Sequence, residues 1–133
     1  MRALPDPERA KPCVLVIDDD EAVAWAIAGR LGKDFRVVGL NEPARAVERT
    51  CDEKPSLILC DINMPGMDGG DVSKALHAHP EVRTVPVLFL TALISPSDLK
   101  HTGNLIGGRP AISKQVPIPE LEKRIRQLIE QKA

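Results

Sequence analysis

The sequence predicts an α/β protein, a single domain in which a five-stranded parallel sheet is covered by helices on both faces. Three observations predict it. Five short apolar runs alternate with five amphipathic or polar stretches along the 133 residues, and such alternation calls for crossover connections and a parallel sheet. Residues 13–17, 57–60 and 85–90 are almost unbroken in apolar character, as in strands buried on both faces. The length lies near the modal size of one domain.

Taken in order, Cys-Val-Leu-Val-Ile at 13–17 is the first strand. Asp20 can cap a helix over 21–31, whose buried row is Val23, Ile27 and Leu31 and whose stop is Gly32. Residues 35–40 alternate more, with Arg36 interrupting, and suit an edge strand. Asn41 can cap the next helix, with Pro43 in its first turn and Ala44, Val47 and Cys51 at helical spacing. Residues 57–60 follow as the third strand. A third helix is expected over about 71–79, with Val72, Ala75, Leu76 and His79 on one face and Pro80 beyond its end. After the strand at 85–90, a short fourth helix is expected over 97–102, followed by Gly103. Ala111 and Ile112, beside Pro110, read as a second edge strand, where proline is tolerated. Ile118, Leu121, Ile125 and Leu128 form the stripe of a last helix, with Glu120–Arg124 and Glu122–Arg126 as i,i+4 pairs. The most apolar strands are the first and third, which gives a flavodoxin-like order, 2-1-3-4-5. Residues 1–11, charged and holding Pro5 and Pro7, are expected to be a flexible amino-terminal tail, with the domain over 12–133.

Composition excludes several function classes. Trp25, Phe35 and Phe89 are the whole aromatic complement, too few for a surface that stacks single-stranded nucleic acid. A net charge of −1 lacks the basic footprint of a duplex binder, so no direct nucleic-acid partner is expected. No run reaches the roughly 18–20 apolar residues of a membrane span. Cys13, Cys51 and Cys60 are odd in number, irregularly spaced and set in apolar surroundings, which reads as free thiols in a reducing cytoplasm. Residues 1–70 carry 13 acids and 9 bases, and 71–133 carry 6 acids and 9 bases, so the halves differ as −4 and +3. That asymmetry directs attention to where the acids gather.

They gather at strand ends, where open parallel sheets place their chemistry. The first run ends in Asp18-Asp19-Asp20-Glu21, the third in Asp61, the fourth in Thr91 and the fifth in Ser113-Lys114. Neighbouring carboxylates raise each other's pKa unless a cation intervenes. A hard divalent ion such as Mg²⁺ prefers oxygen ligands and takes one or two carboxylates with water and phosphate oxygens. Metal, ammonium and hydroxyl together suit a phosphoryl group, and one carboxylate can be the nucleophile that forms an acyl phosphate. Taken singly, each residue has a plainer reading: Asp20 as a helix cap, Thr91 as a loop hydroxyl, Lys114 as a solvated charge. Their joint placement is what favours chemistry.

Asp61-Ile62-Asn63-Met64-Pro65-Gly66-Met67-Asp68-Gly69, with Thr91-Ala92 beginning 30 residues after Asp61 and Lys114 lying 53 after it, resembles a two-component response-regulator receiver domain. The motif is Asp-x-x-Met-Pro-x-Met-Asp-Gly, and the resemblance covers roughly residues 12–131. It implies that Asp61 accepts a phosphoryl group from a histidine on a partner kinase or histidine phosphotransfer protein. It further implies Mg²⁺ as cofactor, bound by Asp19 directly, by Asp18 through water, by Asp61, and by the backbone carbonyl of Asn63. Thr91, with Ala92 beside it, and Lys114 would then hold phosphoryl oxygens. Gly66 and Gly69 would give the loop backbone its freedom.

Two positions depart from the family. Three residues before its lysine the family usually has Tyr or Phe; here stands Ala111, which has no rotamer to switch. Output is therefore expected to travel through the loop over 91–95 and the fourth helix. The family's Lys-Pro becomes Lys114-Gln115, for which trans is the default, since a cis non-proline bond costs about 3–4 kcal/mol. Trp25 lies about 200° from Val23 on a helical wheel and is expected to face solvent, where the family docks its kinases. His77 and His79, two apart on a helix, point different ways and read as surface residues.

Two other readings stand beside the receiver. One is a receiver-like interaction module that needs no phosphate, made thinkable by the two departures. The other is a haloacid-dehalogenase-type phosphatase with Asp18 as nucleophile and Asp20 as acid, which lacks the acidic pair expected after Lys114 and leaves the Asp61 motif unused. The expectation is a signalling phosphoacceptor, not a turnover enzyme. Its output partner or effector domain is not visible in the sequence, and a homodimer is left open.

Overall fold

The computed structural model describes residues 10–132. Its elements, in order, are β1 (Cys13–Ile17), α1 (Glu21–Leu31), β2 (Arg36–Leu40), a 3-10 turn (Pro43–Arg45) leading into α2 (Ala46–Glu53), β3 (Leu57–Asp61), α3 (Gly69–His77), β4 (Val87–Thr91), α4 (Pro96–His101), β5 (Leu105–Ile106), β6 (Arg109–Ser113) and α5 (Ile118–Lys132). Residues 1–9 of the expected tail lie outside the described residues. Lys11, at its end, donates from Nζ to the Gly32 carbonyl at 3.1 Å.

The sheet order is β2-β1-β3-β4-β6-β5. The first five members pair in parallel, as expected, with β6 in the place of the predicted fifth strand. The sixth strand corrects the expectation of five: β5 pairs antiparallel with β6, Leu105 opposite Pro110 and Ile106 opposite Arg109. Gly107 and Gly108 make the connection with φ of +57° and +78°, and positive φ at both central residues matches the right-handed twist of a hairpin. A two-residue strand shows no period, so nothing in the sequence marks Leu105 and Ile106 as a strand.

Alternate side chains divide the core. Val14, Val16, Leu57, Leu59, Leu88 and Leu90 face α1 and α5, while Leu15, Ile17, Ile58, Cys60 and Phe89 face α2, α3 and α4. Both faces of β1 and β3 are buried, which explains their unbroken apolar runs. α1 runs as expected, with Asp20 accepting from the Ala22 N–H. Asn41 does not cap the following helix; its side chain donates to Glu21 Oε1 at 2.9 Å, and the turn at Pro43–Arg45 starts without a side-chain cap. α3 begins two residues earlier than predicted because Asp68 and Asp71 form a reciprocal capping box. On α5, Glu122 pairs with Arg126 at 3.1 Å and with Arg30 of α1 at 2.7 Å; among the described residues no ion pair joins Glu120 to Arg124.

Candidate functional site

The strand order turns back between β1 and β3, and the residues at or just past the carboxyl ends of the strands define the site. Hydrogen bonds of the sheet continue beyond the strand ends and fix the backbone there. Asp18 N donates to Leu40 O at 3.0 Å, Ile62 N to Leu90 O at 3.0 Å, and Lys114 N to Thr91 O at 2.8 Å. Such bonds leave the side chains at 18, 61, 91 and 114 as the free variables.

Asp18, Asp19 and Asp61 each bring one carboxylate oxygen to within 4.8 Å of the others. Asp18 and Asp61 are buried and Asp19 is exposed. Lys114 bridges the buried pair, its Nζ lying 2.7 Å from Asp18 Oδ2 and 3.4 Å from Asp61 Oδ2. The ammonium thus sits closer to Asp18 than to the expected acceptor. Asp18 Oδ1 accepts from the Asp20 N–H at 2.9 Å, and Asp61 Oδ1 accepts from the Asn63 N–H at 3.2 Å. Asn63 therefore reaches the site through its backbone, with its side chain exposed.

Burial pushes the Asp18 carboxyl above its ordinary range, and the charge of Asp61 adds to this against the pull of Lys114 and the Asp20 amide. For Lys114, burial works against the charged form, but the hydrogen bond to Asp18 and the charges of Asp18 and Asp61 outweigh it and raise the ammonium's pKa. Three carboxylates facing one ammonium leave uncompensated negative charge. The donors are all oxygens, clustered and partly buried, and this set fits a hard divalent cation such as Mg²⁺. Cys60, beneath Asp61, is pushed up to about 12 by burial and then by the charges of Asp61 and Asp18, which keeps it a thiol. All three cysteines are free.

Thr91 is buried at the end of β4, next to Ser113 of β6 and one residue past the register partner of Asp61. Its Oγ1 accepts from the Leu93 N–H at 3.2 Å. Ala92 and Leu93 lie on the surface of the loop that follows, and Leu93 is 77% exposed. The β3–α3 loop is held by its two glycines in different ways. Gly66 has φ +79°, the left-handed region that a side chain disfavours. Gly69 is required for space: a Cβ there would stand 2.9 Å from the Asp61 carbonyl oxygen and 3.0 Å from Ile62 Cα.

Ala111 is 2% exposed in β6, and beside it a cleft of about 370 Å³ opens between α4 and α5, lined also by Leu99, Lys100, Lys123 and Arg124. The described residues contain no cis peptide bond, so Lys114-Gln115 is trans. Trp25 is 79% exposed, in the expected direction, beside a groove between α1 and β2. Sequence reasoning missed what Gln115 does. Its side-chain amide donates to the Ala92 carbonyl at 3.3 Å, a contact across 23 residues that no local pattern announces.

A doubly wound sheet with a lysine-bridged cluster of acids at its switch point defines the class, an α/β protein with an acid-rich corner at the carboxyl edge of its sheet. A family model described as the response regulator receiver domain matches residues 14–126, and the chain belongs to that family. It is 32% identical over 120 residues to the probable transcriptional regulator ycf27 of Porphyridium aerugineum, covering 90% of this chain and 48% of that one. It is also 32% identical over 117 residues to response regulator PleD of Caulobacter vibrioides, covering 86% of this chain and 25% of PleD. The chain spans less than half of these curated relatives. The crystal structure of a putative response regulator from Chloroflexus aurantiacus is similar, with a TM-score of 0.75 at 28% identity over 90% of this chain and 98% of that one. No helix among the described residues is long and apolar enough to cross a membrane.

Proposed function

We propose that this receiver domain is a phosphorylatable switch, with Asp61 as acceptor of a phosphoryl group from a phosphohistidine on a partner kinase or phosphotransfer protein. The observation that carries the reading is the convergence of Asp18, Asp19 and Asp61 within 4.8 Å, with the Lys114 ammonium between Asp18 and Asp61. A carboxylate oxygen of Asp61 attacks phosphorus as the P–N bond to the histidine breaks. An acyl phosphate forms, and the imidazole departs with the bonding pair and takes up a proton. Asp18, Asp19, Asp61 and the Asn63 carbonyl would hold Mg²⁺, which would supply positive charge to offset that of the phosphoryl group. Lys114 moves its ion pair from Asp18 to a phosphoryl oxygen. The Thr91 hydroxyl, which accepts from the Leu93 N–H, donates its own proton to another phosphoryl oxygen, and the Ala92 peptide beside it lines the approach.

The domain acts as a signalling phosphoacceptor in the cytoplasm and turns over no external substrate beyond its own phosphorylation and dephosphorylation. Trp25 is the anchor on which the kinase side docks. Against the phosphatase reading, Asp20 is committed to capping α1. Against a phosphate-independent module stands the grouping of Asp18, Asp19 and Asp61 with Lys114.

Incubation with Mg²⁺ and acetyl phosphate should label the protein at one site, and Asp61→Asn should abolish the label. Persistence of an unlabelled wild type would sink the reading in favour of the interaction module. In the same assay Trp25→Ala should leave labelling by acetyl phosphate unchanged while slowing transfer from the cognate kinase. Equal effects on both would remove Trp25 from docking.

A further inference from the structure

We propose that Gln115 is a positioning residue: it clamps Lys114 and the Thr91–Ala92 segment together so that both reach one phosphoryl group on Asp61. The inference rests on the phosphoacceptor reading above and concerns how that site is held in shape.

Lys114 has no secondary structure to aim it, since β6 ends at Ser113 and α5 starts at Ile118. Its own N–H is held by the Thr91 carbonyl at 2.8 Å. On its far side, Gln115 has an N–H that a proline would lack. That N–H donates to Ser113 Oγ at 3.1 Å, and Ser113 is 1% exposed, so the turn around Lys114 is closed onto a buried hydroxyl. The Gln115 side chain then crosses to the Ala92 carbonyl at 3.3 Å. One residue thereby holds the peptide after Lys114 and the peptide after Ala92.

The second contact matters because of where Ala92 stands. The Thr91 hydroxyl accepts from the Leu93 N–H, and Ala92 is the residue enclosed by that turn. A rotation that turns the hydroxyl toward Asp61 frees the Leu93 N–H, which shares a peptide group with the Ala92 carbonyl that the Gln115 amide holds. Lys114 and Thr91 come from different strands, and their alignment on one phosphoryl group depends on the relative position of two loops. Gln115 is the side chain that joins those loops. It touches none of the three carboxylates, so it acts on phosphoryl capture and leaves the cation site alone.

The test uses the full chain with beryllium trifluoride as the phosphoryl mimic, and compares wild type with Gln115→Met, of equal length without a donor, and Gln115→Glu, which sets a carboxylate against the Ala92 carbonyl. Both variants should keep the melting temperature and the Mg²⁺ affinity of wild type. Beryllofluoride affinity and the rate of labelling by acetyl phosphate should fall roughly three- to tenfold, the range one net hydrogen bond carries. Wild-type beryllofluoride affinity in both variants overturns the inference. So does a parallel fall in melting temperature and Mg²⁺ affinity, which would mark a structural role. A second measurement needs no variant: the Gln115 side-chain amide resonances should shift when wild type binds beryllofluoride, and amide protons that exchange as freely as a solvated glutamine's would overturn the clamp. If wild type itself neither binds beryllofluoride nor accepts phosphate, it is the phosphoacceptor reading that has failed, and this one falls with it.

Discussion

The carboxyl ends of β1 and β3 and the edge built from α4, β5 and β6 belong to one sheet, yet they are constructed differently. At the first, β1 and β3 are fully buried, Asp20 and Asp68 cap the helices that follow, and sheet hydrogen bonds run past the strand ends. At the second, α4 has six residues and β5 two, and Gly103, Asn104, Gly107 and Gly108 all have positive φ. α4 and β5 bury only Leu99, and elements with so few buried side chains open at low cost, whereas β6 is buried over Ala111–Ser113. The proposed acceptor end is thus preorganised, and α4 with β5 is cheap to move. Ala111, between the two, supplies no ring to connect them.

The largest expected effect tests that contrast with one substitution made twice. Gly69→Ala sets a Cβ 2.9 Å from the Asp61 carbonyl and 3.0 Å from Ile62 Cα, backbone atoms that cannot turn aside. A cost of about 3 kcal/mol is expected, at the upper end for overpacking, together with weaker labelling of Asp61. Gly103→Ala meets nothing within 4 Å and carries only the strain of φ +69°, about 1 kcal/mol. Urea denaturation of both should show the ratio. Equal losses would mean that the acceptor end is no more rigid than the edge.

A smaller effect is expected at Ala111→Phe. Enlarging a 2% exposed residue normally costs about 1–3 kcal/mol, but the cleft of about 370 Å³ beside Ala111 offers the ring a place. The loss should stay below about 1 kcal/mol. Amide spectra with and without beryllofluoride should then show larger shifts across residues 96–106 than in wild type. A full overpacking penalty would show that the cleft is closed to residue 111.

What the sequence made legible follows the same division. The acceptor corner could be read because its signals are local: apolar runs end in Asp18, Asp61 and Thr91, and an aspartate precedes a helix. The expectation of solvent exposure for Trp25 came from helical spacing and agrees with the structure. The edge was harder to read. Leu105 and Ile106 are too few to show a period, so β5 was absent from the expected sheet. The Asp68–Asp71 box lay inside a motif that already had an explanation. Gln115 to Ala92 and Arg30 to Glu122 join residues 23 and 92 apart, and such contacts exist only once the chain has folded.

The smallest expected effect concerns α5, which lies between the two regions. Glu122 receives Arg30 of α1 and Arg126 of its own helix, while Arg126 also reaches Asp34 at 2.8 Å and stands over the Phe35 ring. This clasp ties α5 to α1 and hence to the rigid side of the sheet. The hydrogen bond from Arg30, then that from Arg126, holds the Glu122 carboxyl below its ordinary range. A lowered folded-state pKa means stability that is present above the unfolded value, roughly pH 4.3, and is lost as pH falls through the folded one. Glu122→Gln should therefore lower the melting temperature slightly at neutral pH and flatten its decline on acidification. The pair is exposed, so solvent screening keeps the effect small and added salt should erase it. If beryllofluoride binding also moved α5 resonances in Glu122→Gln but not in wild type, the clasp would be what confines motion to α4 and the hairpin. Unchanged α5 resonances in both would assign that confinement to the apolar stripe of Leu121, Ile125 and Leu128.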